Sequence, residues 1–229
     1  MLFLAVFCGF LAEYQLEHKI EKERAKQYAI SLLDDLVADT INVNEIVKMY
    51  EGVSNELDSF VSFVNTGSVK MTPGGKLYWY GNSADMSYRP AFRTTTIEQL
   101  KNSGTIRYFS IDLQKKIAQY DQYLGEMSLR QNNEPLYNIE TRKYIEKIFD
   151  NEVLEKLENL IWDTSLVLKQ AFMDTDFPLL TNDAVLLKEY ANNCYARKRN
   201  WLNRNSGYKL AKKMATQLIL VLKKEYHLE

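Results

Sequence analysis

The sequence predicts an all-α protein: an elongated antiparallel helical bundle with very long first and last helices and one long irregular loop. Three observations carry that prediction. The 229 residues include only nine Gly and four Pro, so chain breakers are scarce and long helices are favoured. Apolar residues recur at gaps of three and four through most of the chain, the spacing of one helix face. Turn signals concentrate in one place, Asn65 to Pro90, which holds NTGS, TPGG, YGNS and SYRP.

Composition narrows the class. Hydrophobic residues make up 46% and charged residues 26%, a globular balance. A net charge of −1 argues against a nucleic-acid partner. The charge is unevenly placed: Tyr190 to Lys224 has nine Lys or Arg and no acid, whereas Asp34 to Asp58 has seven acids and one Lys. Two cysteines far apart, Cys8 and Cys194, make neither a disulfide framework nor a zinc spacing.

The chain opens with LFLAVFCGFLA, uncharged from Leu2 to Ala12. As a helix this run is about 17 Å long, against a hydrocarbon core of about 30 Å. It lacks the basic start and small-residue cleavage site of a signal peptide. Three readings stay open: the second half of a transmembrane helix, an interfacial anchor, or the buried end of a helix in a globular domain. The first is the expectation carried forward, with 1–12 as a partial transmembrane or anchor segment and 13–229 as the bundle domain.

Beyond it, Ile30, Leu33, Val37, Ile41, Val47, Tyr50, Val53, Leu57, Phe60 and Val64 form an expected buried stripe, which makes Glu13 to Val64 one helix. The segment 65–93 is the irregular aromatic loop, and KLYWYG within it reads as a short strand. Thr95 with Glu98, or Thr96 with Gln99, fits a capping box, and Gly104 a left-handed helix stop. A helix follows from Ser110, with Leu113, Ile117, Tyr120, Leu124 and Met127 inward, stopping near Gln131-Asn-Asn. Asn138 to Phe172 is helical with a break near Asp150-Asn151. Pro178 ends it. A last helix runs from about Asp183 to Tyr226, burying Leu187, Tyr190, Cys194, Arg197, Trp201, Tyr208, Ala211, Ala215, Leu218 and Leu222.

Chemistry is sparse. His18 and His227 are the only histidines, too few for a histidine triad or metal site. No phosphate loop or nucleophile elbow occurs. Asp34, Asp35 and Asp39 read as a solvated acidic face. No catalytic residue, metal or cofactor is expected. Two sets remain as contact candidates. Tyr78, Trp79, Tyr80 and Tyr88 either pin the loop to the bundle or face a partner or ligand. Arg197, Lys198, Arg204, Lys212 and Lys213 either pair with acids of the first helix, or form a solvated face, or meet an anionic partner or lipid headgroups.

FLAVFCGFLAEYQLEHKIEKERAKQY and TTTIEQLKNSGTIRYFSIDLQKKIAQYDQY together resemble an uncharacterised, mainly Bacteroidetes family of single-span membrane-anchored helical proteins. That resemblance implies a bacterial inner-membrane protein with its bundle in the periplasm, the cytoplasmic side remaining open. The family offers no catalytic residues to transfer. The expected function is non-enzymatic: protein interaction, scaffolding or sensing, with a protein partner or a homo-oligomer and with the membrane met through Leu2–Ala12. A ligand-binding sensor using the aromatic loop is the alternative, and a metal-dependent bundle enzyme a remote one.

Overall fold

The computed structural model describes residues 6–130, 132 and 134–228, with residues 2–5 and 131 described only as parts of their helices. Met1, Asn133 and Glu229 lie outside them, and with Asn133 goes the end of the expected Gln131-Asn-Asn stop. Among the described residues the chain is all-α, without a strand. Its helices are α1 (Leu2–Asn65), α2 (Gly74–Asn82), α3 (Thr95–Asn102), α4 (Ile111–Gln131), α5 (Glu134–Ile148), α6 (Asn151–Ile161), α7 (Leu166–Asp174) and α8 (Ala184–Tyr226). The long first and last helices are present as the periodicity required.

The membrane span is overturned. Among the described residues no helix is long and apolar enough to cross a membrane. The reason is local: an 18-residue window from Leu2 already takes in Glu13, Glu17 and Lys19. An inner-membrane location with a periplasmic bundle loses its support with the span. From Val6 on, the opening run is not the buried end of a helix either, because α1 is exposed from Val6 to Ile20.

The chain divides into two compact units. The first takes α1 up to Asn44, Pro90–Leu129 and α8 from Tyr208. Its core joins Ala25, Ala29, Leu32, Leu36 and Val43 of α1 to Ile97, Leu100, Leu113, Ile117, Tyr120 and Leu124. Tyr208, Ala211, Ala215, Leu218 and Leu222 of α8 complete it, as expected from the sequence. Val37 and Ile41, expected inward, are exposed instead, and Asp39 is buried. Gly104, with φ 69°, ends α3 in the left-handed conformation expected of it. The capping box is not as read: Thr94 precedes the helix and its hydroxyl donates to Glu98 at 3.0 Å, while Thr96 donates to Asp35 at 2.5 Å.

The second unit takes Glu45–Arg89 and Arg130–Gly207. Its core is aromatic. Phe60, Tyr78, Phe149 and Tyr190 pack ring against ring, with centroids 4.9 Å apart for Tyr78–Phe149 and 5.3 Å for Phe60–Tyr190. The segment read as one irregular loop holds α2, so KLYWYG is a helix and not a strand. The cause lies a hundred residues away. The Gly75 N–H donates to the Thr175 carbonyl at 2.8 Å and the Gly74 N–H to Asp176 Oδ1 at 3.2 Å, so a distant segment caps α2. A Cβ at Gly74 or Gly75 would overlap the carbonyls of Phe177 or Phe172. These glycines serve close backbone approach rather than a free turn. The expected break at Asp150 is real: its carboxylate accepts from the Glu152 N–H at 2.8 Å and starts α6. A second break, unread in the sequence, falls where Ser165 caps α7.

Candidate functional site

The acid that organises the aromatic segment is Glu56, on α1. One of its oxygens accepts the Trp79 indole N–H at 2.9 Å and the other the Ser83 hydroxyl at 2.5 Å. Both groups belong to α2 or the turn after it, so one carboxylate fixes the indole and the end of that helix together. Nearby, the Tyr50 hydroxyl donates to the Tyr88 carbonyl at 2.7 Å and accepts the Tyr88 N–H at 3.0 Å. Between these fixed groups lies a half-open cleft of about 240 Å³. Met49, Val53, Trp79, Met86, Leu157 and Ile161 form its apolar walls, and Lys48, Glu56, Asn82, Ser83 and Tyr88 supply polar groups. Burial pushes the Tyr88 phenol above its usual range, with the Glu56 charge adding to the effect.

The four aromatic candidates therefore separate. Trp79 and Tyr88 line the cleft. Tyr78 is fully buried; its hydroxyl donates to the Pro178 carbonyl at 2.9 Å and accepts the Asp150 N–H at 2.8 Å. Tyr80 packs on Phe63, centroids 6.1 Å apart. Tyr78 and Tyr80 hold the segment down.

The five basic candidates separate too. Arg197 is only 1% exposed. Its Nε donates to the Ala84 carbonyl at 3.0 Å, and its Nη2 donates to Glu134 at 2.9 Å and to Asn138 at 2.7 Å. Arg204 pairs with the same Glu134. The guanidinium of Arg197 also lies 5.3 Å from the Trp201 ring centre. Burial pulls Arg197 below its ordinary pKa, while the surrounding anionic and phenolic groups oppose that pull. This is an internal charge cluster, whose partner is an acid of α5 and not of α1. Lys198 pairs with Asp58 of α1, as the pairing reading expected. Lys212 donates to the Asn44 side chain at 2.7 Å, and Lys213 is exposed.

Sequence reasoning missed three acids. Glu134 is buried in the first turn of α5. Glu56 organises the cleft. Asp39 is 2% exposed rather than part of a solvated face; it accepts the Tyr120 hydroxyl at 2.9 Å and the Arg93 N–H at 3.0 Å. Burial raises its pKa above the ordinary 3.8, although both hydrogen bonds oppose the rise. A signal was present: Leu32, Leu36, Asp39 and Val43 are spaced four, three and four apart. Among the described residues no group of three or more His, Cys, Asp or Glu is placed to hold a metal ion. Cys194 is buried, and burial pushes its thiol up to about 12, which keeps it protonated and unreactive.

The remaining feature is the start of α1. Val6, Phe7, Phe10, Leu11, Tyr14, Leu16 and Ile20 are all exposed, Phe10 at 69%. Further along, His18 stacks with Tyr14 at 6.1 Å and meets the edge of Tyr108 at 6.1 Å.

No family model matches the chain, and no curated protein or solved structure matches it either.

Proposed function

We propose that the chain is a non-catalytic interaction module, in which the start of α1 is the association surface and further copies of the same chain are the occupants. The observation that carries this reading is the exposure of Val6, Phe7, Phe10 and Leu11 on a helix continuous with a packed unit. Large apolar side chains exposed together on one stretch mark an association surface. Those four side chains fall within about 140° of the helix circumference, a single apolar face, which the same face of a second copy covers. The flank favours a like partner. Glu13 to Lys26 holds four acids and four bases, so copies lie side by side without net repulsion, whereas a strongly charged partner gains nothing there. The thin catalytic inventory of the sequence supports the non-catalytic part.

Light scattering on the full chain tests it. The expected mass is two or more copies, falling to one copy in the double variant Phe7→Glu with Phe10→Glu, which alters only exposed positions. A native chain of monomer mass contradicts the proposal, as does a variant that assembles unchanged. Binding of the monomer to phosphatidylcholine–phosphatidylglycerol vesicles assigns the surface to lipid and also contradicts it.

A further inference from the structure

We infer that the cleft between α1, α2 and α6 is a binding site for a small aromatic or apolar carboxylic acid. It is independent of the association surface of α1. Size sets the first limit: about 240 Å³ is below the usual range for drug-sized ligands and fits a body of about ten heavy atoms. Shape sets the second. Met49 and Met86 are soft, adaptable walls, while Trp79 is a flat, rigid one. The indole cannot swing to close the space, because Glu56 holds its N–H.

Charge decides the class. Glu56 has both oxygens engaged by Trp79 and Ser83, which fixes its carboxylate at one wall of the cleft. Lys48, on the lining, has no ion-pair partner among the described residues. A second ammonium, that of Lys169, lies 6.0 Å from the Trp79 ring centre. Two ammonium groups against one carboxylate favour an anion over an amine. The third fixed point is Gly52, whose missing side chain opens the cleft at α1. A Cβ built there meets nothing within 4 Å, so a larger residue enters the cleft without colliding with the protein. In mid-helix any such residue also improves helix propensity.

The test uses benzoate, benzamide and benzylamine as probes of one shape and three charges, read by ligand-observed NMR and Trp fluorescence on the full chain. Benzoate is expected to bind with a Kd of about 1 mM or tighter, and benzylamine at least about tenfold more weakly. Gly52→Leu is expected to abolish benzoate binding with the thermal midpoint unchanged or raised. Lys48→Gln is expected to bring benzoate down to the level of benzamide. No binding of benzoate overturns the site. Benzylamine binding as well as benzoate overturns the ligand class. Benzoate binding that survives Gly52→Leu overturns the location.

Discussion

Two stretches of α1 within the first unit are both rich in apolar residues, and only one of them is covered. From Ala25 to Val43 the inward positions recur at gaps of three and four, and each is buried. From Val6 to Ile20 the apolar residues run together, then mix with charges, and all of them face solvent. The difference teaches that periodicity, rather than apolar content, marks the part of a helix its own fold buries. Unpatterned apolar surface is covered by other molecules or left bare.

Substitutions sharpen the contrast. Leu36→Ala removes a fully buried side chain and is expected to cost about 2–5 kcal/mol in urea denaturation. A loss below about 1 kcal/mol would place that stretch outside the core. Asp39→Ala leaves the Tyr120 hydroxyl and the Arg93 N–H without their acceptor and is expected to cost about 1–3 kcal/mol.

Asp39→Asn keeps an acceptor and removes the buried charge, so its effect is smaller and depends on pH. The folded pKa of Asp39 lies above its ordinary 3.8. Between those two values the folded state holds the proton more tightly, so native stability gained from this group rises as pH falls from neutral through the folded pKa. The asparagine variant lacks that gain. Its stability relative to the native chain is therefore highest near neutral pH and declines on acidification to about 3.8. A difference that is flat across that range would contradict the buried charge. The smallest effect belongs to the bare stretch: Phe10→Glu is expected to shift monomer stability by no more than about 0.5 kcal/mol.

The same contrast explains what the sequence disclosed. Every stripe residue read on α8 is buried, because that pattern is dense and its one charged member, Arg197, sits in phase with apolar neighbours. On α1 the expected stripe holds at Leu33 and fails at Val37 and Ile41, because a stripe containing Asp39 looks less apolar than one containing Val37 and Ile41. The donors that make Asp39 tolerable inside, Arg93 and Tyr120, lie far along the chain and leave no local trace. The helix at Gly74 was hidden for the same reason: its cap comes from Thr175 and Asp176. Of the candidate site, the aromatic members were legible by composition. Which of them face a cleft was not, since that depends on where Glu56 and Asp150 meet them.

Cys8 lies inside the bare stretch and is exposed, while Cys194 is buried and silent, so thiol labelling reads that stretch alone. If copies of the chain cover the start of α1, the rate of Cys8 labelling falls as protein concentration rises, and this dependence disappears in the Phe7→Glu, Phe10→Glu double variant. A labelling rate that does not change with concentration in the native chain would contradict self-association as the use of that surface.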